Sequence, residues 1–431
     1  MANKITVALA GLGSRGKDTY AKAAKIHPDK IEIVAIADVN PKKVEMVAEE
    51  YHIPKERCYT SAEEMLKEEK LADVMFITTQ DRQHVAQAIP ALRKGYHLLL
   101  EKPISPDLDE CREIVKVAKE CDRKVVVCHV LRYTPVFRKV KEILDSGVIG
   151  DIVSINASEN VGWFHMAHSF VRGNWRNKEL SSPMILQKCC HDMDLYLWLA
   201  DKKCKSLSSF GSTYLFKEEN APEGCTKRCL DGCKVKATCP YDAESIYLDS
   251  ERIGARNGNT RWPLDVVTEI PTPESVEEAL KTGPYGRCVY HCDNDVVDHQ
   301  VVNLNMTDGS TMSFSMNGHT ADFARHAQFC GTKGEMNVTM GSWDVEDDFI
   351  ETTLFGAKLK TELIPASELS DDFSGHGGGD IVMVEEFCRY LTWKQRRESF
   401  YYFTGKICRE SLLCSCSGGI KITRRSRNRA G

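Results

Sequence analysis

The sequence predicts an α/β protein in two parts: a doubly wound parallel sheet, then an α+β domain built on one large open-faced sheet. Three observations carry that expectation. Over residues 1–128, short β-branched runs alternate with amphipathic stretches, the pattern of a parallel sheet with helices on both faces. A Gly-x-Gly-x-x-Gly directly follows the first of these runs. From about Thr134 the texture changes to longer β-rich runs and longer loops.

In the first part, Ile5–Leu9, Ile33–Ala37, Val74–Thr78, His97–Leu100 and Val125–Cys128 read as strands. Gly16–Ile26, Lys42–Tyr51, Ala62–Lys67, His84–Lys94 and Leu108–Cys121 read as helices. In the second, a helix at Val136–Ser146 precedes a strand at Ile152–Glu159 and a helix near Ile185–Leu199. A loop-rich, cysteine-rich insertion covers 217–286, and strands follow at Val296–Met306, Thr311–Met316 and Glu335–Thr339. A chain of 431 residues is longer than one core usually supports, and the expected boundaries are 1–128, 129–392 and an atypical tail at 393–431.

Hydrophobic content of 42%, charged content of 28% and a net charge of −5 describe an ordinary globular protein and argue against a polyanion partner. The one dense basic run, Arg424 to Arg429, reads as a solvated tail, not as a nucleic-acid patch. Met1 to Ala10 lack the apolar core and cleavage site of a secretory signal, and no stretch approaches the roughly 20 apolar residues of a membrane span. A cytoplasmic protein is expected, with its 18 cysteines as thiols or metal ligands and not as a disulfide framework.

Gly11-Leu12-Gly13-Ser14-Arg15-Gly16 lies between the first strand and a helix. There Gly11 permits a tight turn, Gly13 lets the backbone approach a pyrophosphate, and Gly16 allows close helix–strand packing. The helix N-terminus adds free N–H groups and a partial positive charge. Asp38 ends the second strand, 22 positions beyond Gly16. A carboxylate there accepts from a ribose diol and repels a 2′-phosphate, so NAD is expected over NADP, a preference softened by Asn40, Lys42 and Lys43. Thr79, Gln80 and His84, after the third strand, are expected to line the nicotinamide pocket.

The strand His97–Leu100 ends in Glu101-Lys102-Pro103, at the carboxyl edge where ligands of open α/β sheets bind. This step resembles the hallmark of the glucose–fructose oxidoreductase, inositol dehydrogenase and rhizopine-catabolism family (Gfo/Idh/MocA), and the resemblance runs over about residues 4–392. It implies a Rossmann domain, with Glu101 and Lys102 beside the coenzyme and Lys102 in contact with both the substrate hydroxyl and the nicotinamide. A lysine of ordinary pKa, about 10.4, acts as a base only if burial or a cationic neighbour lowers that value; otherwise it stabilises alkoxide charge.

Gln187 to Leu195 reads as one helix, with Gln187, His191 and Asp194 on one stripe and Lys188 beside His191. A histidine near neutrality suits removal of a carbinol proton, and Asp194 is expected to orient its ring. The family resemblance places an Asp-x-x-x-His pair here. His191 matches its histidine, while Gln187 stands where the family has Asp, which passes part of the relay to Lys188. By the same resemblance Arg132 and Tyr133 contact substrate. Trp163, His165, His168, Arg172, Trp175 and Arg176 form a stretch dense in aromatics and cations, read as stacking faces for sugar rings and forks for an anionic group; salt-bridged loop residues are the equal alternative. His376 to Asp380 contribute either a far wall or a flexible turn.

In the insertion, Cys229, Cys233 and Cys239, with Cys292 or Cys288 as the fourth ligand, have spacings that fit a structural zinc site; an iron–sulfur cluster and reduced thiols compete with it. After Thr392 the chain departs from the Ser/Glu/Ala-rich helical ending of the resembled family, and a frameshift in the source gene is the expectation for residues 393–431. The leading functional expectation is NAD-dependent hydride transfer at a hydroxyl carbon of a sugar, polyol or sugar acid by a homo-oligomer. The alternatives are an NAD-dependent glycosidase that oxidises, eliminates and re-reduces, and a nucleotide-sensing protein without catalysis.

Overall fold

The computed structural model describes residues 4–392. Six strands, β1 (Ile5–Ala10), β2 (Ile31–Ala37), β3 (Cys58–Tyr59), β4 (Val74–Ile77), β5 (His97–Leu100) and β6 (Val125–Val127), form a sheet in the order β3-β2-β1-β4-β5-β6. All of its pairings are parallel. Both faces are covered, so the central strands are continuous apolar runs: Val7, Leu9, Val74, Phe76 and Leu99 pack to one side, Ala8, Met75, Leu98 and Leu100 to the other. The expected first helix divides into a wide π-type turn at Ser14–Tyr20, in which Ala21 N–H donates to Gly16 O at 2.9 Å, and a short helix at Lys22–Ile26.

The second sheet has eight strands: β7 (Ile152–Asn160), β8 (Cys204–Ser212), β9 (His299–Met306), β10 (Thr311–Asn317), β11 (Arg325–Gly331), β12 (Gly334–Met340), β13 (Phe349–Leu354) and β14 (Lys360–Pro365). Their order is β14-β13-β12-β11-β7-β10-β9-β8. Val302, Leu304 and Met306 of β9 are buried while Val301, Asn303 and Asn305 face out, the alternation of a sheet with one covered face. The buried face packs on the helix Cys190–Ala200, whose residues up to Leu199 are all buried.

Two boundaries differ from the sequence expectation. The helix Gly379–Thr392 returns to the first domain, where Met383, Val384, Phe387 and Cys388 join the core of Val7, Leu9, Tyr20 and Val126. The insertion fills the whole interval between β8 and β9, 213–298. It is not merely loop: Ala243, Ile246, Tyr247, Leu248, Leu264, Val276 and Leu280 give it a small core of its own. The expected frameshifted segment, 393–431, lies outside the described residues. Among the described residues no helix is long and apolar enough to cross a membrane.

Candidate active site

The carboxyl edge of the first sheet is built by glycines with distinct duties. Gly11 has φ +90°, and a Cβ there would stand 2.6 Å from Thr78 O; a Cβ on Gly16 would stand 2.0 Å from Gly11 O. Both must be glycine for the turn to close. A Cβ on Gly13 would meet nothing within 4 Å, so this face of the turn is open, as a pyrophosphate cradle requires. Asp38 accepts from the Leu12 N–H at 2.6 Å and the Asn40 N–H at 2.8 Å, which fixes its carboxylate at the end of β2. Asn40 Nδ2 in turn donates to Glu269 of the insertion at 2.9 Å, and Lys42 Nζ stands 4.0 Å from the same carboxylate. Ser14 begins the wide turn and has no capping role.

Arg15 does not point toward a phosphate. Its guanidinium is held by Glu101 at 2.8 Å and Asp380 at 2.7 Å, lies over the Tyr20 ring and touches His376 at 3.3 Å. Two carboxylates satisfy the charge that sequence reasoning assigned to the coenzyme. Glu101 is equally committed: Oε1 accepts from Arg15 and Tyr20, and Oε2 from the Lys102 N–H. Burial pushes its pKa up, but Arg15 and Lys102 outweigh that and hold it ionised below the usual range. Thr79 Oγ1 donates to Gln87 at 2.7 Å, Gln80 opens the short turn before the helix His84–Arg93, and the His84 ring lies between the carbonyls of Pro103 (2.7 Å) and Thr79 (3.1 Å). These three shape the loops at the sheet edge; the side chains of Thr79 and His84 are engaged within the fold.

Lys102 crosses to the second domain. Its Nζ donates to the Gln187 carbonyl at 2.8 Å and stands 5.9 Å above the Trp175 ring. The expected continuous helix breaks here: Met184–Gln187 and Cys190–Ala200 are separate, with Cys189 at φ −89°, ψ 6° between them. Gln187 therefore does not share a regular helical stripe with His191, and it meets Lys102 through its backbone. The His191 imidazole is buried, and neither ring nitrogen has a hydrogen-bond partner among the described residues. The rings of His376 and His129 stand 5.6 and 6.0 Å from it. Burial first, then the charge of Lys102 and the neighbouring rings and Arg325, holds the His191 pKa well below the ordinary value and keeps the ring neutral.

Several expected site residues have other partners. Asp194 makes a bidentate ion pair with Arg132 and stands 3.9 Å from His129 Nε2, so it does not orient His191, and the Arg132 fork is closed to a substrate anion. Tyr133 is buried in the core of the first domain, 5.6 Å from the Arg138 guanidinium. Lys188 pairs with Glu159 at 3.0 Å, Glu159 with Arg325 at 2.8 Å, and Arg325 with Asp192 at 2.8 Å, a buried charge network under the His191 helix. Lys188 is thereby a counter-ion and not a free base. His168 stacks on Tyr285 at 4.7 Å and meets Tyr247 at 3.0 Å inside the insertion, where burial lowers its pKa to about 3. Arg172 is fully buried against the carbonyls of Arg287 and Tyr241, and Arg176 pairs with Asp293. Trp163 packs edge-on against Phe164 and Tyr241.

His165 lies 4.9 Å from Trp262 and is held neutral by burial and by Lys188. Sequence reasoning gave no role to Arg325 or Glu159, which carry no motif, nor to Asp192, which directly follows His191. It also underused His129, whose place directly after β6 was a usable signal.

In the insertion, the ligand atoms of Cys225, Cys288 and His291 lie within 4.8 Å of one another. Cys229, Cys233 and Cys239 line a cavity together with Cys225 and Cys288. Cys292 is in neither the triad nor the cavity lining; its thiol donates to the Cys288 carbonyl at 3.3 Å.

Comparison with known proteins identifies both domains. Residues 5–129 match the sequence profile of an oxidoreductase family with an NAD-binding Rossmann fold, and residues 137–229 match the GFO/IDH/MocA C-terminal domain. The oxidoreductase YteT of Bacillus subtilis is 23% identical over 346 residues, 78% of this chain and 76% of that one. An inositol 2-dehydrogenase of Salmonella typhimurium is 22% identical over 204 residues, 47% of this chain and 56% of that protein. The WlbA dehydrogenase of Bordetella pertussis, solved with NADH and UDP-GlcNAcA, superposes with a TM-score of 0.63 at 17% identity, over 96% of this chain and 95% of that one.

Proposed function

Because this chain belongs to the GFO/IDH/MocA family of NAD-binding oxidoreductases and is accordingly a dehydrogenase, we propose that it oxidises a ring hydroxyl of a neutral sugar or polyol, with NAD as the hydride acceptor. The observation that carries this reading is the His191 ring, buried, neutral and with both nitrogens free, beside an aimed Lys102 ammonium. A neutral imidazole accepts the carbinol proton, and the ammonium donates a hydrogen bond to the same oxygen as negative charge gathers there. When bound, NAD supplies the hydride acceptor.

The substrate class follows from what surrounds these groups. Arg132, Arg172 and Arg176 are occupied within the fold, which leaves imidazoles, one ammonium and the Trp175 face. Such a wall suits hydroxyl groups and an apolar ring face better than a carboxylate or phosphate. The relatives named inositol 2-dehydrogenase and the UDP-GlcNAcA-bound WlbA are consistent with a ring substrate. NAD is favoured over NADP because Glu269 occupies Asn40 and approaches Lys42, the groups that would otherwise receive a 2′-phosphate beside Asp38.

The redox-neutral glycosidase is the second reading, favoured by the Asn40–Glu269 contact, which joins the insertion to the coenzyme edge and would slow coenzyme exchange. Self-association belongs to the same proposal, through the uncovered sheet face that exposes Phe210, Val301 and Leu363. A panel of sugars, polyols and aryl glycosides, followed for NADH absorbance and aglycone release together, tests these readings. The first predicts NADH accumulation on at least one polyol or free sugar. The second predicts aglycone release without net NADH, and silence on the whole panel by NAD-loaded protein contradicts both.

A further inference from the structure

The insertion between β8 and β9 brings together residues 60 and more positions apart: Cys225 Sγ stands 3.5 Å from His291 Nε2, a separation of 66 positions. With metal–sulfur distances of about 2.3 Å and metal–nitrogen distances of about 2.0 Å, neighbouring vertices of a zinc tetrahedron stand about 3.5–3.8 Å apart. The Cys225–His291 pair already has that spacing, and Cys288 completes a triangle of ligand atoms within 4.8 Å. His291 Nδ1 faces Glu218 at 3.4 Å, the carboxylate partner that leaves Nε2 as the ligating nitrogen.

Cys225 and Cys288 also line a small cavity, together with Cys229, Cys233 and Cys239. Cys229 and Cys288 flank the antiparallel bridge between Arg228 and Arg287 on its two strands: Cys229 N–H donates to Gly286 O at 3.0 Å, and Cys288 N–H to Lys227 O at 2.9 Å. Arg172 supplies an independent observation. Its fully buried guanidinium contacts two carbonyls and, at 3.6 Å, Cys229 Sγ, while Nη1 has no partner. A buried cation calls for a buried counter-charge. A zinc ion with three thiolates and one imidazole carries a net charge of −1 and provides it.

We propose that the insertion holds one structural zinc ion, bound by Cys225, Cys229, Cys288 and His291, with Arg172 as the counter-charge beside it. The site closes the long loop 225–288 and stands apart from Lys102 and His191, so it stabilises the insertion and takes no part in hydride transfer.

The test is metal analysis of the purified full chain, then removal by chelator and titration with Co²⁺. The expected result is one zinc per chain and, on cobalt loading, thiolate-to-metal absorption with the visible bands of a tetrahedral site. Cys225→Ser and Cys288→Ser are expected to lose both metal and bands, while Cys233→Ser and Cys239→Ser keep them. If the ligand variants fail to fold, the cobalt titration of the wild-type chain decides alone. A metal-free chain that takes up no Zn²⁺ or Co²⁺, iron and sulfide in place of zinc, or full zinc in Cys225→Ser would each overturn the proposal.

Discussion

The Lys102 ammonium donates a hydrogen bond to the Gln187 carbonyl at 2.8 Å, across 85 positions of sequence and from one domain to the other. The helix break after Gln187 frees that carbonyl, because an unbroken helix would return it to an N–H four residues on. One contact therefore aims the lysine at the end of the short helix that precedes the one carrying His191.

Lys102→Ala is expected to bind NAD within a few-fold of the wild type and to lower kcat by about 10²–10⁴-fold, the range of a positioned proton-transfer or charge-stabilising group. Coenzyme fluorescence titration and single-turnover kinetics separate the two effects. Loss of NAD binding with an unchanged chemical step would reverse the assignment.

The His191 ring is held neutral by burial and by Lys102. Its accepting form therefore persists as pH falls through the ordinary histidine value of about 6.5. The acid limb of kcat/KM for alcohol oxidation is expected below that pH. In Lys102→Ala, which removes a positive neighbour, the limb moves toward higher pH. His191→Asn is expected to abolish it and to lower kcat by about 10²–10⁴-fold. A limb at 6.5 in both wild type and Lys102→Ala would show that the ring is not in this environment.

Asp194 belongs to Arg132 and not to His191. Breaking a buried ion pair from one side costs about 3–5 kcal/mol, so Asp194→Asn is expected to lower the denaturant midpoint by that equivalent. The double variant Asp194→Asn, Arg132→Met recovers part of the loss. A variant that keeps its stability but shifts the His191 limb would restore the orienting role.

Asp38→Ser combined with Glu269→Ala removes one carboxylate from the ribose site and releases Asn40 and Lys42 from another. The ratio of kcat/KM for NAD over NADP is expected to fall by roughly tenfold or more, equivalent to about 1.4 kcal/mol. An unchanged ratio would place the discriminating contacts elsewhere.

What the sequence made legible follows from which signals are local. The buried parallel strands announce themselves as apolar runs, and Gly11, Gly13, Gly16 and Asp38 keep fixed offsets from them. β14 was illegible because Lys360, Thr361, Glu362 and Leu363 are all exposed, so no face alternates. The break at Cys189 was hidden because no Gly or Pro marks it, and the period shows burial without showing which hydrogen bonds close. Helix Gly379–Thr392 could be read as amphipathic, but no periodicity tells which core it joins. The arginines misled for a related reason: a cation-rich stretch looks alike whether its partner is a ligand or, as with Arg172 and Arg176, a carbonyl and an aspartate of the same fold.

A crystal structure of the NADH complex with a bound polyol shows whether Lys102 and His191 face the reacting carbon. The dinucleotide is expected across the carboxyl edge of the first sheet, its nicotinamide facing Lys102 and His191, with a carbinol carbon about 3–3.5 Å from the ring between them. A nicotinamide turned away from both side chains, with the polyol bound beyond their reach, would contradict it.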